Sequence, residues 1–272
     1  MKVKKIISNI ILGGSILSLS ISLFGCSKSN EIESTLSKDT LIVGMDDAFA
    51  PMVFKDENGE ITGFDVDLAK ALATKLDKEV EFQPIDWTMK ETELNSGNID
   101  LIWNGYTIND DRKKKVDFSV PYLKNQQVIV TLGNSDIKTK NDLNGKKVGA
   151  QNESSAISAM EKEAELYSSF NGGSAITFED NNQALMDLEA GRIDAVVADE
   201  ILVRYYISLK GEDKFNILDE NFGEEEYGVG IRKGDTEMVD AFNNAYTEMQ
   251  IDGTLKKISE KWFSEDITIK VQ

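Results

Sequence analysis

The sequence predicts an α/β fold with mainly parallel sheets, arranged as two lobes. Three observations carry this. Strand-like and helix-like hydrophobic periods alternate along the chain. After the first 25 residues, 247 of the 272 remain, enough for two separate cores. One pattern occurs twice, as Leu94-x-x-Gly97-x-Ile99-Asp100 and as Leu188-x-x-Gly191-x-Ile193-Asp194. Each copy reads as a helix end, a glycine stop and a strand start, so one supersecondary unit is expected in each lobe.

Residues 1–25 stand apart from the fold. Lys2, Lys4 and Lys5 precede an uncharged apolar run, 6–24, salted with Ser and Gly, which is the layout of a secretory signal peptide. A single-pass membrane anchor has a similar length. The stretch Leu23-Phe24-Gly25-Cys26 favours the signal, because it resembles the lipobox of bacterial lipoproteins, in which the Cys becomes the acylated (palmitate-bearing) first residue. Two acyl chains hold a protein on a membrane stably. Residues 26–38 are rich in Ser, Lys and Glu without periodicity and read as a flexible tether.

The folded part opens with a short strand, 41–45, from the run Leu41, Ile42 and Val43. Its end is a polar loop carrying Gly44, Asp46, Asp47 and Phe49. A strand end that presents acid and ring together is where open α/β sheets bind ligands. A hairpin strand over 52–55, with Asp56-Glu57-Asn58-Gly59 as its turn, leads to a helix over 64–77, with Val66, Ala69, Ala73 and Leu76 on one face. Val80 and Phe82 alternate as a strand, residues 87–96 form a helix, and Gly97 stops it. Strand and helix then alternate to the end.

Composition excludes several classes. The formal charge is −18, and without Lys2, Lys4 and Lys5 it becomes 27 basic against 48 acidic residues, or −21. Such a surface repels phosphates, so nucleic acid is not an expected partner. The chain has no histidine, which removes Ser-His-Asp triads, Cys-His pairs and His-ligated zinc. Its single cysteine, Cys26, allows neither an internal disulfide nor a thiolate metal cluster. Asp46-Asp47 and Glu224-Glu225-Glu226 lack metal-ligand spacing. No metal or cofactor is expected.

Four blocks make the reading specific: residues 41–72, Ile99-Asp100-Leu101-Ile102-Trp103-Asn104-Gly105 on to Tyr122, residues 143–156, and Ala190-Gly191-Arg192-Ile193-Asp194 on to Glu200. In order and spacing they resemble the polar amino-acid substrate-binding proteins of ABC importers, the bacterial extracellular solute-binding proteins of family 3. The resemblance implies a periplasmic binding protein fold of type II, two α/β lobes joined by two hinge strands. Residues 39–126 and 224–272 would form lobe one, and 127–223 lobe two. It implies a receptor for a polar L-amino acid, whether Gln, Arg, Lys, His or cystine, that closes on its ligand and passes it to an ABC permease with its ATPase. Such a protein would be a monomer without catalysis, lipid-anchored on the extracytoplasmic face of the cell membrane; lysine-rich, proline-poor composition points to a Gram-positive host.

The residues support that chemistry. A free amino acid needs a cationic fork for its carboxylate, an anion for its ammonium and backbone donors around a common point. Arg112 can be the fork, with a solvated lysine-rich face (Lys113, Lys114, Lys115) as the plainer reading; the resemblance places it at the carboxylate-binding position. Gly105 and Thr107 line the same turn, and Asn104 is either a ligand contact or a turn residue. Ser154 and Ser155 open a helix, where unpaired N–H groups suit a carboxylate or simple capping suffices. Relatives carry Gln-x-Gly-Ser/Thr there, and Glu153 stands in place of the Gly. Asp199, after a strand at 194–198, is an ammonium partner or the N-cap of the next helix. Side-chain specificity is expected from Asp46, Phe49 and Trp87, whereas Trp103 fits a core position better.

An alternative on the same fold is an enzyme resembling cyclohexadienyl dehydratases, with Glu153 as a cleft acid. Asp46 and Asp199 argue against its dianionic substrate.

Overall fold

The computed structural model describes residues Glu33 to Val271, so the signal segment, Cys26 and most of the tether lie outside the described residues. From Ser34 the chain is already part of the fold. The Ser34 hydroxyl and the Thr35 N–H donate to Asp235 at 2.7 Å each, and Thr35 is buried. A free tether through residue 38 is therefore corrected: its last residues dock on the first sheet's side.

Strand β1 (Thr40–Met45) buries Leu41, Val43 and Met45, as the aliphatic run requires. Gly44 is there for space, not freedom, since a Cβ would lie 2.3 Å from Ile99 Cδ1. Next, β2 (Ala48–Phe49), β3 (Val53–Lys55) and β4 (Ile61–Thr62) make a small antiparallel sheet. Asp56 folds its turn by accepting from the N–H groups of Asn58 and Glu60. Helix α1 (Phe64–Lys75) buries Val66, Ala69 and Ala73 together with Phe64, Leu68 and Leu72. It ends two residues before the expected boundary, at a left-handed Asp77. Strand β5 (Glu79–Pro84) follows, then a 3-10 turn at Trp87–Met89, α2 (Lys90–Ser96), β6 (Leu101–Ile102), α3 (Asp110–Lys115) and β7 (Val116–Phe118).

The second half begins with the long β8 (Leu123–Leu132) and β9 (Val148–Gln151). Then come α4 (Ser155–Glu161), α5 (Ala164–Ser168), β10 (Ile176–Phe178), α6 (Asn181–Glu189), β11 (Ala195–Asp199) and α7 (Glu200–Lys210). Strands β12 (Phe215–Tyr227) and β13 (Gly230–Arg232) and helices α8 (Thr236–Ile251) and α9 (Thr254–Phe263) complete it.

Two five-stranded sheets result. The first runs β5-β1-β6-β13-β7 and the second β10-β9-β11-β8-β12. In each, three parallel strands are followed by antiparallel partners. The chain passes from the first sheet to the second between β7 and β8 and returns between β12 and β13. Helices α1, α8 and α9 cover the first sheet; Phe64, Phe242, Tyr246 and Leu255 are buried there, worth about 1.5–3 kcal/mol each in transfer free energy.

The repeated pattern is a structural repeat. Gly97 (φ 78°) after α2 and Gly191 (φ 69°) after α6 take the same left-handed conformation. The Asp that follows does the same task in both sheets: Asp100 accepts from the N–H of Ile42 at 3.0 Å, and Asp194 from that of Lys147 at 2.7 Å. Each carboxylate ties its own strand to the start of the neighbouring parallel one.

Candidate functional site

The C-terminal ends of the parallel strands of both sheets meet around a small, largely enclosed cavity. Phe49, Trp87, Asn104, Gly105 and Arg112 line it from the first sheet's side, and Gln151, Ser154, Ser155 and Asp199 from the second's. Eight of the ten ligand residues expected from sequence converge there. A larger groove, lined by Asn141, Lys162, Glu163 and Leu166, is open to solvent and gathers no comparable set of buried charges.

Arg112 is only 6% exposed despite its three lysine neighbours. The N-cap Asn109 fixes the start of α3, and its side-chain carbonyl accepts from the Arg112 N–H at 2.9 Å. The guanidinium lies over the Tyr106 ring, 4.3 Å from its centroid, and spends one donor on the Thr107 carbonyl at 3.0 Å. Among the described residues no carboxylate forms an ion pair with it. A buried fork with spare donors is built for a planar anion.

Gly105 has φ 56°, and a Cβ there would lie 2.8 Å from Phe49 Cε1, so glycine alone fits this approach. The loop is held from behind by Asp65, at the first turn of α1. Its Oδ2 accepts from the Gly105 N–H at 2.8 Å and from the Tyr122 hydroxyl at 3.0 Å. Burial pushes the Asp65 carboxyl up to about 7. Asn104 lines the cavity, and its Oδ1 is buried without a hydrogen-bond partner among the described residues.

On the opposite wall, the capping readings of Ser154 and Asp199 fail. Both occupy N-cap positions, of α4 and α7, yet neither side chain makes a cap hydrogen bond. The Ser154 hydroxyl is buried and unpartnered. Ser155 Oγ lies 3.0 Å from both Thr107 Oγ1 and Gln127 Nε2. Asp199 is 4% exposed, and its Oδ1 accepts from Asn125, Gln127 and Tyr227. Burial, then the charge of Glu225, hold its carboxyl well above the usual carboxylate range.

Two expected residues stand behind the wall. Thr107 turns its carbonyl to Arg112 and its hydroxyl to Ser155 and Glu225. Asp46 is not the pocket floor: its Oδ1 accepts from the Ala48 N–H and its Oδ2 from Gln151 Nε2 at 2.8 Å. Burial pushes it up to about 6. Its role is to hold Gln151, the lining residue that sequence reasoning passed over although Gln151 stands in a quoted motif. Trp103 is core, packed between Tyr122 and Phe242.

Hydrogen bonds bridge the two walls at several points, among them Gln151 to Asp46, Thr107 to Glu225, Asn182 to the Ala48 carbonyl, and Lys90 to the Glu153 carbonyl. Lys90 is itself buried, and desolvation followed by the nearby Arg112 lowers it to about 8. Glu153 holds the left-handed conformation (φ 55°) that a glycine would take without strain, and its side chain is exposed. The expectation of a Glu153 carboxyl in the cleft is thereby corrected, because that backbone twist turns the carbonyl inward to Lys90 while the residue does not line the cavity.

Strand order and cleft position define a two-lobed binding protein of the periplasmic type II class. The profile of the bacterial extracellular solute-binding proteins, family 3, matches residues 41–265, and the chain belongs to that family. The L-cystine-binding protein TcyJ of Escherichia coli K12 is 38% identical over 233 residues, 85% of each chain. An ABC uptake transporter substrate-binding protein from Streptococcus pneumoniae, solved with bound histidine, superposes with a TM-score of 0.84 at 40% identity, covering 86% of this chain and 96% of that one. An ancestral amino-acid-binding protein, AncCDT-1, described as a precursor of cyclohexadienyl dehydratase, gives 0.76 at 40% identity over 85% of this chain and all of its own. These relatives are amino-acid-binding proteins.

Proposed function

We propose that this chain captures a polar L-amino acid, of the glutamine, basic or cystine kind, by lobe closure and presents it to an ABC permease. The observation that carries the reading is a charge pair left open: the buried Arg112 guanidinium with no carboxylate, across the cavity from the buried Asp199 carboxyl with no cationic partner. An α-carboxylate and an α-ammonium complete both. Asn104 Oδ1 and the Ser154 hydroxyl add an acceptor for the ammonium and a donor for the carboxylate. Phe49, Trp87 and Gln151 are left to meet the side chain.

Closure follows from the bridging bonds. Lining residues come from both walls, so a ligand that contacts both favours the closed state by the difference in its binding free energies. Cys26, as an acylated residue, would keep the receptor beside its permease. The exposed Glu153 removes the candidate acid of a dehydratase and favours binding without turnover.

A thermal-shift screen of residues 27–272 against the polar amino acids, with prephenate beside them, tests this. A dose-dependent rise with an amino acid, abolished in Arg112→Ala, is expected. Consumption of prephenate, or Arg112→Ala binding like wild type, would overturn it.

A further inference from the structure

Behind the wall that carries Asp199 stands a second carboxylate. Asp199 pairs with Gln127 of β8, and Asn125, two residues earlier on the same face, pairs with Glu225 of β12. The Asn125 amide donates to Asp199 Oδ1 and to Glu225 Oε1, both at 2.7 Å. The Gln127 amide reaches the same two oxygens at 3.1 and 2.8 Å. Two acids are thus clamped on one pair of amides, and among the described residues neither has a lysine or arginine at ion-pair distance.

Both carboxylates are gathered on the same donors: the two hydrogens of Gln127 Nε2 serve Asp199 and Glu225, while Gln127 Oε1 is buried without a partner. Tyr227 donates to Asp199 at 2.6 Å, and Thr107 donates to Glu225 at 3.0 Å. Asp199, Gln127, Asn125 and Glu225 lie on three adjacent strands of one sheet, so the arrangement needs only Thr107 from the opposite wall. The two acids face different solvents. Asp199 lines the cavity, and Glu225 lines an outer groove with Lys124, Glu200, Glu224 and Glu226.

We propose that Asp199 and Glu225 hold one proton in common until the ligand's ammonium arrives, and that this proton then leaves by way of Glu225 into the outer groove. The inference rests on the receptor reading above and adds a positioning residue, Glu225, and an exchange of proton for ligand. In the exchange an O–H bond of the acid pair breaks, its electrons stay on the carboxylate, water takes the proton, and the ammonium keeps its three hydrogens. The charge of the site is conserved. Arg112, the charged group facing Asp199 from α3, pulls against proton retention, but burial and the second acid outweigh it. Because binding releases a proton, affinity strengthens by up to about tenfold per unit of rising pH while the pair is protonated, then levels off.

The test is calorimetric titration near about pH 6 in three buffers of different ionisation enthalpy. The probe is whichever of L-glutamine, L-arginine, L-lysine and L-cystine raises the melting midpoint most. Wild type is expected to release close to one proton per ligand. In Glu225→Gln the release should vanish and affinity should stop changing with pH, and Glu225→Asp should restore both. Binding without release, or equal release in Glu225→Gln, overturns the exchange and leaves the receptor standing; no binding of any probe overturns the receptor itself. A carboxyl infrared band in the ligand-free difference spectrum of wild type minus Glu225→Gln, over and above the Asp65 and Asp46 bands common to both, is expected independently of any ligand, and its absence also overturns the proposal.

Discussion

The two strand ends that frame the cavity begin from the same seven-residue pattern and finish with different chemistry. After Asp100, strand β6 is only two residues long and gives way to the loop 103–109 before α3. That loop puts Asn104 and the Gly105 backbone on the cavity wall and delivers a cation, Arg112, from the helix beyond. After Asp194, strand β11 runs five buried residues straight into α7 with no loop between. The facing atom is then the side chain of the last strand residue, Asp199. One scaffold offers a long adaptable connection and the other an abrupt one, so the first wall can vary its outline while the second presents one acid at a set position.

The largest effect should come from breaking the charge complementarity between the walls. Arg112→Ala is expected to cost about 2–5 kcal/mol of binding, read by calorimetry, because the ligand carboxylate would be buried unpaired. Asp199→Ala should cost a similar amount from the opposite side, and unequal losses would show which wall dominates.

Gly105→Ala probes the long connection. The left-handed backbone and the 2.8 Å approach to Phe49 should cost about 1–3 kcal/mol in stability, with weakened binding, in a denaturant titration. Stability unchanged within error would mean that the loop yields easily.

Asp65 tests how that loop is held. Its folded value near 7 exceeds the ordinary 3.8, so the folded state binds the proton more tightly than the unfolded chain. Its contribution is complete at acid pH, below the unfolded value, and is lost as pH rises toward about 7. The slope is at most about 1.4 kcal/mol per unit. Asp65→Asn should flatten that part of the stability profile; an unchanged slope would show that other groups set it.

The smallest expected effect is on selectivity. Trp87→Ala should change affinity by about 1–2 kcal/mol and reorder the preferred amino acids without abolishing binding, because Trp87 lines the cavity and carries no charge to pair with the ligand's carboxylate or ammonium. Uniform loss for every amino acid would place Trp87 in the common part of the site.

Much of this was legible in the chain. The repeated Leu-x-x-Gly-x-Ile-Asp is local: a helix end, a left-handed glycine and an Asp bonding the next strand all follow from a few consecutive residues. The meeting of Arg112 and Asp199 at one cavity was legible because strand ends converge in this class of sheet. Asp46 was misread, since its partner Gln151 lies 105 residues away and only the meeting of two sheets brings them together. Asp65 left no signal, because an acid in the first turn of a helix has an ordinary reason to be there.

The sequence by itself determined the alternation of elements, the class of fold and the residue types that could receive an amino acid, because hydrophobic period, caps and formal charge are properties of neighbouring residues. Tertiary structure alone decided which polar groups are desolvated and left unpaired. Burial of Arg112, the exposed side chain of Glu153 and the shared amides of Asp199 and Glu225 depend on strand register and on the packing of two walls, and no local pattern encodes these distances.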